Sequence, residues 1–556
     1  MVMDLKLRIL FMETSEVDVM NERVHETGEG ASDNMVRETE ISSGAAQNHM
    51  EYSSQKRGIS RLAFRALKLT VFVLLLALIV YCLNQTITPK YVYSNATDPM
   101  SSVFSGLYEM EENTVDVIFL GSSHTGSGLN PQDMYDEAGI RSYNLASSSQ
   151  SILLSYFWLK EALNYQSPKI VVLDCYELFI SGTSEAAARK ALDYMRDGEV
   201  KSEAVQAIVA DDETQSELSY TLSNVRYHTR WSELTEEDYT WAEEDVTKLA
   251  KGFYKKWGYC NDETYVPLEF DESEITPAEF DETAEEYLDK IVSLCEEKRI
   301  ELILIKTPAH SQTAERHVAV QNYADEHGLT FYDFNMKDLY EEIGFEYATD
   351  MHDSSTTGTM NAHANPSGAR KMSQYLANEI LGVNGLEGVE DSQWEETREF
   401  NEHIWQNFTL KHEEDLLTYL EMLDEERYSI LISVRDEASK SLNEEVLSAM
   451  QNLGFEFTVY GNYRYSYVAI KNEGEIIELL NEDLIETAGS LRNGRVPYLI
   501  TSGGYIAGST SSIIIDGTEY SKNKRGLNIV VYDNEMKLVV DQVNFDTFSE
   551  AWTAYR

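Results

Sequence analysis

Residue types that together support nucleophilic catalysis occur at separate points of this 556-residue chain. The stretch VDVIFLGSSHTGSGLNP, residues 115–131, runs from an apolar segment directly into Gly-Ser-Ser. A serine becomes a nucleophile when a base removes its proton and a third group orients that base, and the tetrahedral intermediate needs N–H donors. A sharp strand-to-helix turn, which Gly121 permits, would expose Ser122 or Ser123 and supply such donors.

The same motif supports two other interpretations, a phosphate-binding loop and an ordinary turn or helix cap. The motif lacks the lysine of a P-loop. The formal net charge of -51, from 96 acidic against 45 basic side chains, opposes binding to nucleic acid or to an anionic membrane surface. We therefore predict no nucleic-acid partner, and the nucleophile turn and the ordinary turn remain open.

A histidine near residue 360 could act as the base. In the segment TDMHDSSTTGTMNAHANPSGARKMSQYLANEIL, residues 349–381, Asn365 and Pro366 form a helix-start signal. His363 is then expected in the loop before a docked helix, within reach of a neighbouring strand end. Asp353 lies upstream and could orient the imidazole if the intervening loop folds back. The alternative is an exposed loop histidine without a catalytic role.

Five apolar runs of strand length, separated by helix-period segments, must position these residues. They are VDVIFL (115–120), IRSYNLA (140–146), KIVVLDCYELF (169–179), IELILIKTP (300–308) and LTFYDFN (329–335). Strands that are apolar on both faces and alternate with helices predict an α/β fold, with a parallel sheet between two helical layers. Active sites in such sheets lie at the carboxyl ends of the strands, where the Gly-Ser-Ser motif is found. Residues 181–280 show no strand alternation and predict a helical insertion or cap of unassigned role.

The N-terminal part predicts a membrane anchor. The run LAFRALKLTVFVLLLALIVYCL, residues 62–83, supplies about the 20 apolar residues that a spanning helix needs, and we place the helix at residues 59–84. Basic residues lie on its N-terminal side, which predicts a cytosolic N-terminus and an extracytoplasmic main part: Lys56, Arg57, Arg61, Arg65 and Lys68. A cleaved signal peptide is the alternative, opposed by the long polar region upstream. Residues 1–58 are predicted to be a disordered tail and residues 85–110 a linker.

The four cysteines are too few for a disulfide framework and show neither a CxxC pair nor a cluster with histidine. We interpret Cys175, Cys260 and Cys295 as buried thiols, and we predict no metal and no cofactor. Residues 386–410 are acidic and turn-rich and predict a connector. From residue 411 to the end, alternating strands around one amphipathic helix, residues 443–453, predict a small β-rich domain with a binding role.

Residues 111–385 resemble the SGNH, or GDSL-like, hydrolase superfamily, and especially its membrane-tethered bacterial members. The likeness rests on GSS, on YNLASSSQS (143–151) and on a late aspartate followed by HANPSGARK. It implies Ser123 as nucleophile, His363 as base, Asp353 as orienting carboxylate with Asp350 as fallback, and Asn144 at the oxyanion. The family's Asp-x-x-His spacing is stretched here, and Ala146 stands where relatives often have glycine. These departures leave open a domain that keeps the fold without the chemistry.

This resemblance implies an esterase or O-acyltransferase that acts on cell-wall or exported polysaccharide at a bacterial cell membrane. Related systems use a membrane-bound O-acyltransferase as partner.

Residues 428–550 resemble the interleukin-like EMT inducer and pancreatic-derived factor domain, through RDEAS, YRYSYVAI, GSTSSIIIDG, RGLNIVVYD and FDTF. The resemblance implies a β-sandwich-like, lectin-type fold that binds carbohydrate. Asp436, Arg525 and Asn528 are the matching polar positions. They are candidates for ligand binding, or alternatively for hydrogen bonds that hold the fold together.

Overall fold

The computed structural model describes residues 43–89, 100–234, 238–239, 246–353 and 362–556. Its first helix, α1, covers Ser43–Ile87 and begins inside the segment predicted as a tail, of which residues 1–42 lie outside the described part. Within α1, Ala63–Ile87 is long and apolar enough to cross a membrane, and its apolar stretch is not buried by the rest of the protein. The chain divides into two compact units, residues 1–80 and 81–556.

The second unit contains the predicted parallel sheet, with strands in the order β2-β1-β3-β4-β5. Its strands are β1 (Val117–Gly121), β2 (Ser142–Ala146), β3 (Ile170–Asp174), β4 (Glu301–Lys306) and β5 (Thr330–Asp333). All five predicted strands are confirmed. The third is shorter than its apolar run because the Asp174 carboxylate accepts the N–H of Tyr176 at 2.7 Å and turns Cys175–Phe179 into a 3₁₀ helix.

Each face of this sheet has its own hydrophobic core. On β1, Ile118 and Leu120 pack into one core, and Val117 and Phe119 pack into the other. Alternate residues of a strand point to opposite faces, so this division requires helices on both sides. The predicted α/β/α architecture is confirmed.

The helices after α1 surround the sheet and continue toward the C-terminal domain. In chain order they are α2 (Met100–Leu107), α3 (Ser123–Gly128), α4 (Pro131–Ala138), α5 (Ile152–Ala162), α6 (Glu185–Leu192), α7 (Glu199–Asp211), α8 (Glu217–Thr221), α9 (Ser223–Arg226), α10 (Glu282–Lys298), α11 (Ala314–His327), α12 (Lys337–Glu342), α13 (Tyr347–Asp350), α14 (Pro366–Ile380), α15 (Ser392–His412), α16 (Leu416–Met422) and α17 (Glu444–Asn452).

Two of these helices occupy segments that the sequence predicted to be connections. In the predicted linker, α2 places Phe104 against Trp158, with ring centroids 4.2 Å apart, because its apolar residues recur at helical spacing. In the predicted connector, α15 buries Trp394, Phe400 and Ile404. The described residues of the predicted insertion form α6 to α9 and the 3₁₀ helices His228–Ser232, Val246–Ala250 and Glu272–Glu274.

Two short strands, β6 (Met351–His352) and β7 (His363–Ala364), pair with each other, and the C-terminal domain contains strands β8 to β17 in one connected sheet. They are β8 (Tyr428–Asp436), β9 (Ser466–Asn472), β10 (Glu475–Asn481), β11 (Ile485–Leu491), β12 (Val496–Gly504), β13 (Thr510–Ile515), β14 (Thr518–Glu519), β15 (Gly526–Asp533), β16 (Leu538–Phe545) and β17 (Ala554–Tyr555). The helix predicted at residues 443–453 is confirmed as α17, with Asn443 as its N-cap. The β-rich fold is confirmed.

Strand β8 lies between two apolar layers of this domain. Ile430 and Ile432 belong to the core that includes α15, α16 and α17. Leu431 points the other way, into a second core with Ile500 of β12 and Ile513 of β13. Strands therefore face strands across this second core, as in a sandwich.

Candidate active site

The Gly-Ser-Ser turn joins β1 directly to α3. Gly121, the last residue of β1, has φ +150, and a Cβ there would lie 2.1 Å from Oγ1 of Thr125. Ser122 is the N-cap residue, is 1% exposed, and has no hydrogen-bond partner for its hydroxyl among the described residues. Ser123 is the first helical residue and lines a cavity. The two adjacent serines therefore have different surroundings, and only Ser123 faces open space.

His363 lies directly beside Ser123. Its Nε2 is 2.7 Å from the Ser123 Oγ, although the two residues are 240 positions apart in the chain. In the neutral tautomer that carries its proton on Nδ1, the hydroxyl donates to Nε2. The structure thus brings the predicted nucleophile and the predicted base into hydrogen-bond contact.

A two-stranded ribbon places His363. Strand β6 (Met351–His352) pairs with β7 (His363–Ala364) in antiparallel register, with His352 opposite His363. Asp353 directly follows β6, so it comes next to the His352–His363 pair, whereas residues 354–361 lie outside the described part. An antiparallel ribbon brings residues that are distant in sequence side by side. The backbone of Asp353 is therefore one residue away from the position opposite His363, although the Asp-His spacing is longer than the family pattern, and orientation of His363 by the Asp353 carboxylate stays a prediction.

His352 itself is held in the neutral form. Its Nδ1 accepts the N–H of Gly258 at 3.0 Å, and burial lowers its pKa to about 4. A neutral ring at this position adds no positive charge beside His363.

Asp350, the fallback carboxylate, serves a different part of the structure. It is 1% exposed and accepts hydrogen bonds from the Glu346 N–H at 2.7 Å, the Ser367 hydroxyl at 2.6 Å and the Lys371 ammonium at 2.6 Å. These bonds tie α13 to the first turns of α14. Asp350 therefore supports the segment that carries His363.

Asn365 fixes the start of α14, as the Asn-Pro signal predicts. Its side-chain oxygen accepts the N–H groups of Ser367 and Gly368, and its amide donates to the carbonyls of Thr349 at 2.7 Å and Gly258 at 3.1 Å. One side chain thus joins three segments within two residues of His363. The predicted helix start is confirmed.

Two aromatic rings that sequence reasoning missed extend the site. The His363 ring stacks on His124 at a centroid distance of 4.6 Å, and His124 stacks on Tyr176 at 4.1 Å. His124 follows Ser123 in the motif, and Tyr176 lies in the turn after β3. Both are thus next to a strand end, which is the signal that could have found them. The stack restricts the rotation of the His363 ring.

The cavity beside Ser123 has a volume of about 580 Å³, and its lining combines polar and apolar surface. Its wall includes Ser149, Tyr176, Glu177, Thr183 and Asp212. Glu177 was interpreted from sequence as part of a strand. It is 6% exposed, and burial raises the pKa of its carboxyl to about 7. Among the described residues, no cluster of three or more His, Cys, Asp or Glu side chains is suited to a metal ion.

Asn144, predicted near the oxyanion, donates hydrogen bonds to the end of α3. Its amide donates to the carbonyls of Thr125 and Leu129, both at 2.9 Å, so both amide hydrogens have partners. The cause is register, because Asn144 pairs with Phe119, two residues before the end of β1. In this arrangement Asn144 offers no donor at the Ser123 hydroxyl. The main-chain N–H of Ser123, in the first turn of α3, is free of intrahelical partners.

The matching polar residues of the C-terminal domain bond within the domain. Arg525 donates twice to Asp546, at 2.9 and 2.7 Å. Asn528 is buried, donates to the Lys524 carbonyl at 2.8 Å and accepts the Lys524 N–H at 3.1 Å. Asp436 ends β8 with φ 66, and its carbonyl accepts the N–H of Tyr505. These bonds agree with the alternative that the three residues stabilise the fold, and ligand binding by them stays a prediction.

Comparisons with known proteins give one family match and several similar solved structures. Residues 391–475 match the interleukin-like EMT inducer family, a segment that begins at the N-cap of α15 and ends at the start of β10. No curated protein sequence matches the chain.

Among solved structures, the chain is similar to a GDSL-like lipase of Bacteroides thetaiotaomicron, with 10% identity, a TM-score of 0.24, and coverage of 51% of this chain and 98% of that chain. It is also similar to a Bacteroides fragilis protein provisionally described as an acylhydrolase, with 12% identity, a TM-score of 0.23, and coverage of 50% and 94%. The resemblance of the C-terminal domain to the interleukin-like EMT inducer family, found in the sequence, has its counterpart in the family match.

Proposed function

We propose that this protein is a membrane-anchored, extracytoplasmic serine esterase or O-acyltransferase. The observation that carries the proposal is the 2.7 Å contact between Ser123 Oγ and His363 Nε2 at the carboxyl edge of a parallel sheet, beside a cavity. A serine and a histidine in this relation form the nucleophile–base pair of acyl transfer. The adjacent Asp353 supplies the orienting carboxylate.

The proposed reaction proceeds in two acyl transfers. His363 Nε2 takes the Ser123 proton while Oγ attacks the carbonyl carbon of an ester, and the N–H of Ser123 donates to the developing oxyanion. Collapse breaks the donor's C–O bond, the leaving oxygen takes the proton from His363, and the acyl group stays on Ser123. An acceptor hydroxyl then gives its proton to His363 and attacks the acyl carbon; the bond between that carbon and Ser123 Oγ breaks, and Oγ takes the proton back from His363. Water in that place gives hydrolysis.

The anchor and the C-terminal domain support the choice of a polysaccharide substrate. Residues 63–87 would hold the site beside the membrane, where a membrane-bound O-acyltransferase could deliver acyl groups, and the basic residues before them favour a cytosolic N-terminus. The β-rich domain would hold cell-wall or exported glycan through carbohydrate binding, with Asp436, Arg525 and Asn528 as first candidates.

A fluorophosphonate probe tests the chemistry, because it reacts covalently with activated serines. We expect the full-length protein in detergent to be labelled, with labelling lost in Ser123→Ala and His363→Ala. Ser122→Ala is the matched control, since Ser122 neighbours Ser123 but does not line the cavity. A folded protein that reacts with no probe, or a Ser123→Ala variant that still reacts, would contradict the proposal.

A second candidate function is a surface glycan-binding or scaffold protein that has lost catalysis. It is favoured by the hydrogen bonds of Asn144, which remove one expected oxyanion donor. This candidate predicts no serine labelling together with retained binding of polysaccharide by the folded protein. Release of p-nitrophenol from p-nitrophenyl acetate, measured with and without an oligosaccharide acceptor, separates it from hydrolysis and from transfer.

A further inference from the structure

The helical insertion contacts the chain where the apolar helix α1 ends. Arg230 donates to the carbonyl of Ile87 at 2.7 Å, and the N–H of Asn224 donates to the side-chain oxygen of Asn84 at 3.1 Å. The Tyr194 hydroxyl donates to the carbonyl of Pro89. Residues 81–87 belong to the same compact unit as the insertion. Because residues 63–87 are the candidate span, groups bonded to Asn84 and Ile87 lie at the boundary of the hydrophobic region.

The insertion segment at this boundary, residues 217–232, is held firmly on its inner side. It comprises α8, α9 and the 3₁₀ helix His228–Ser232. Arg189, which is 1% exposed, donates to the Ser219 hydroxyl at 2.7 Å and lies over the Tyr220 ring at 4.2 Å. A buried cation with these contacts fixes the segment to α6. The outer side of the segment is therefore presented in a defined orientation.

That outer side exposes large apolar residues. Leu218 is 56% exposed, Val225 is 46% exposed and Trp231 is 46% exposed. Val225 follows Asn224 and Trp231 follows Arg230, so two of the three are next to residues that contact the end of α1. Exposed apolar residues grouped on one segment indicate an interaction surface.

The segment adds little net charge at this boundary. ELSYTLSNVRYHTRWS, residues 217–232, carries two arginines and one glutamate, in a chain with a net charge of -51. Arg226 is paired with Glu185 and Arg230 with Asp238, so both arginines are neutralised within the protein. Tryptophan is enriched at the level of the lipid headgroups, because its ring is apolar and its N–H is polar. Trp231, beside the end of α1, therefore fits a lipid surface that is recognised by apolar and aromatic contact rather than by charge.

We propose that residues 217–232 form a second membrane contact, in which Leu218, Val225 and Trp231 enter the interfacial region of the bilayer that residues 63–87 span. The contact fixes the height of the active-site cavity above the membrane. Gln215, just before the segment, donates to the carbonyl of Thr183 at 3.0 Å, and Thr183 lines the cavity beside Ser123. The proposal rests on the membrane anchoring of the proposed function and is independent of its acyl chemistry.

The test uses the full-length protein in lipid nanodiscs and quenching of tryptophan emission by lipids brominated near the headgroup. The apolar span contains no tryptophan. We expect brominated lipid to reduce the emission of the wild type, and Trp231→Phe to lose at least half of that reduction. Trp552→Phe, in the C-terminal domain, is the matched control and should keep it.

A second variant keeps the reporter and weakens the contact. Leu218→Gln combined with Val225→Gln should reduce the quenching of Trp231 about twofold, with unchanged circular dichroism. Equal quenching in the wild type and in Trp231→Phe would overturn the proposal, as would no quenching in a protein that resists alkaline carbonate extraction. The latter result would point to a protein partner for this surface. Loss of carbonate resistance reports failure of the anchor itself, and fluorophosphonate labelling reports separately on Ser123.

Discussion

Replacing Asp350 or Asp353 by alanine should cause two different defects, because the two carboxylates have different partners. Asp350 accepts hydrogen bonds from Glu346, Ser367 and Lys371. The first two donors would be left without a partner, at about 1 kcal/mol each. The Lys371 side chain is 32% exposed, so water replaces that contact and the loss is below about 1 kcal/mol. We expect Asp350→Ala to lower the free energy of unfolding by about 2–3 kcal/mol.

Asp353→Ala should leave stability within about 1 kcal/mol, because Asp353 follows a two-residue strand and is only half-buried. Its expected defect is chemical, a fall in the rate of fluorophosphonate labelling on the order of 10³-fold, since the His363 imidazole loses its orienting charge. Urea unfolding followed by near-UV circular dichroism, together with labelling rates of the folded fraction, measures both effects. The reasoning is refuted if Asp353→Ala labels at the wild-type rate while folded Asp350→Ala does not.

Three further substitutions test the packing and electrostatics around the site. Gly126→Ala should destabilise the protein by about 1–3 kcal/mol in urea unfolding, because its Cβ would lie 1.9 Å from the Tyr254 ring; Gly198→Ala, whose Cβ meets nothing within 4 Å, should change stability far less. Glu177→Gln should remove part of the pH dependence of the free energy of unfolding. Burial raises the pKa of the Glu177 carboxyl from 4.5 to about 7, so the stability that its neutral form contributes is fully present below pH 4.5. That stability, on the order of 3 kcal/mol, is lost as pH rises through 7. An unchanged profile in this variant would count against the buried carboxyl. Lys251→Met tests a pH dependence of the opposite sign. Burial lowers the pKa of Lys251 from 10.5 to about 7, so the free energy of unfolding of the wild type should rise between pH 7 and pH 10.5. The variant should show a flatter dependence on pH in the same unfolding assay.

The sequence by itself determined the elements of the α/β domain. Apolar runs on both faces of each strand require helices on both sides of the sheet, so the five strands and the parallel architecture followed from local pattern. The Asn365-Pro366 signal likewise located the start of α14, because caps are local interactions. The β-rich C-terminal domain and its helix α17 were predicted for the same reason, whereas α16 was not predicted.

Only the tertiary structure decided which side chains meet. The contact of Ser123 with His363 joins positions 240 residues apart, and the ribbon register sets His352, the residue before Asp353, opposite His363. Asn144 shows the limit of local reasoning. It pairs with Phe119, two residues before the end of β1, so its amide donates to α3 and not to the site at the strand end. Local sequence specifies the conformation of each segment, whereas strand register and long-range packing, which depend on the whole chain, determine the partners of each polar group.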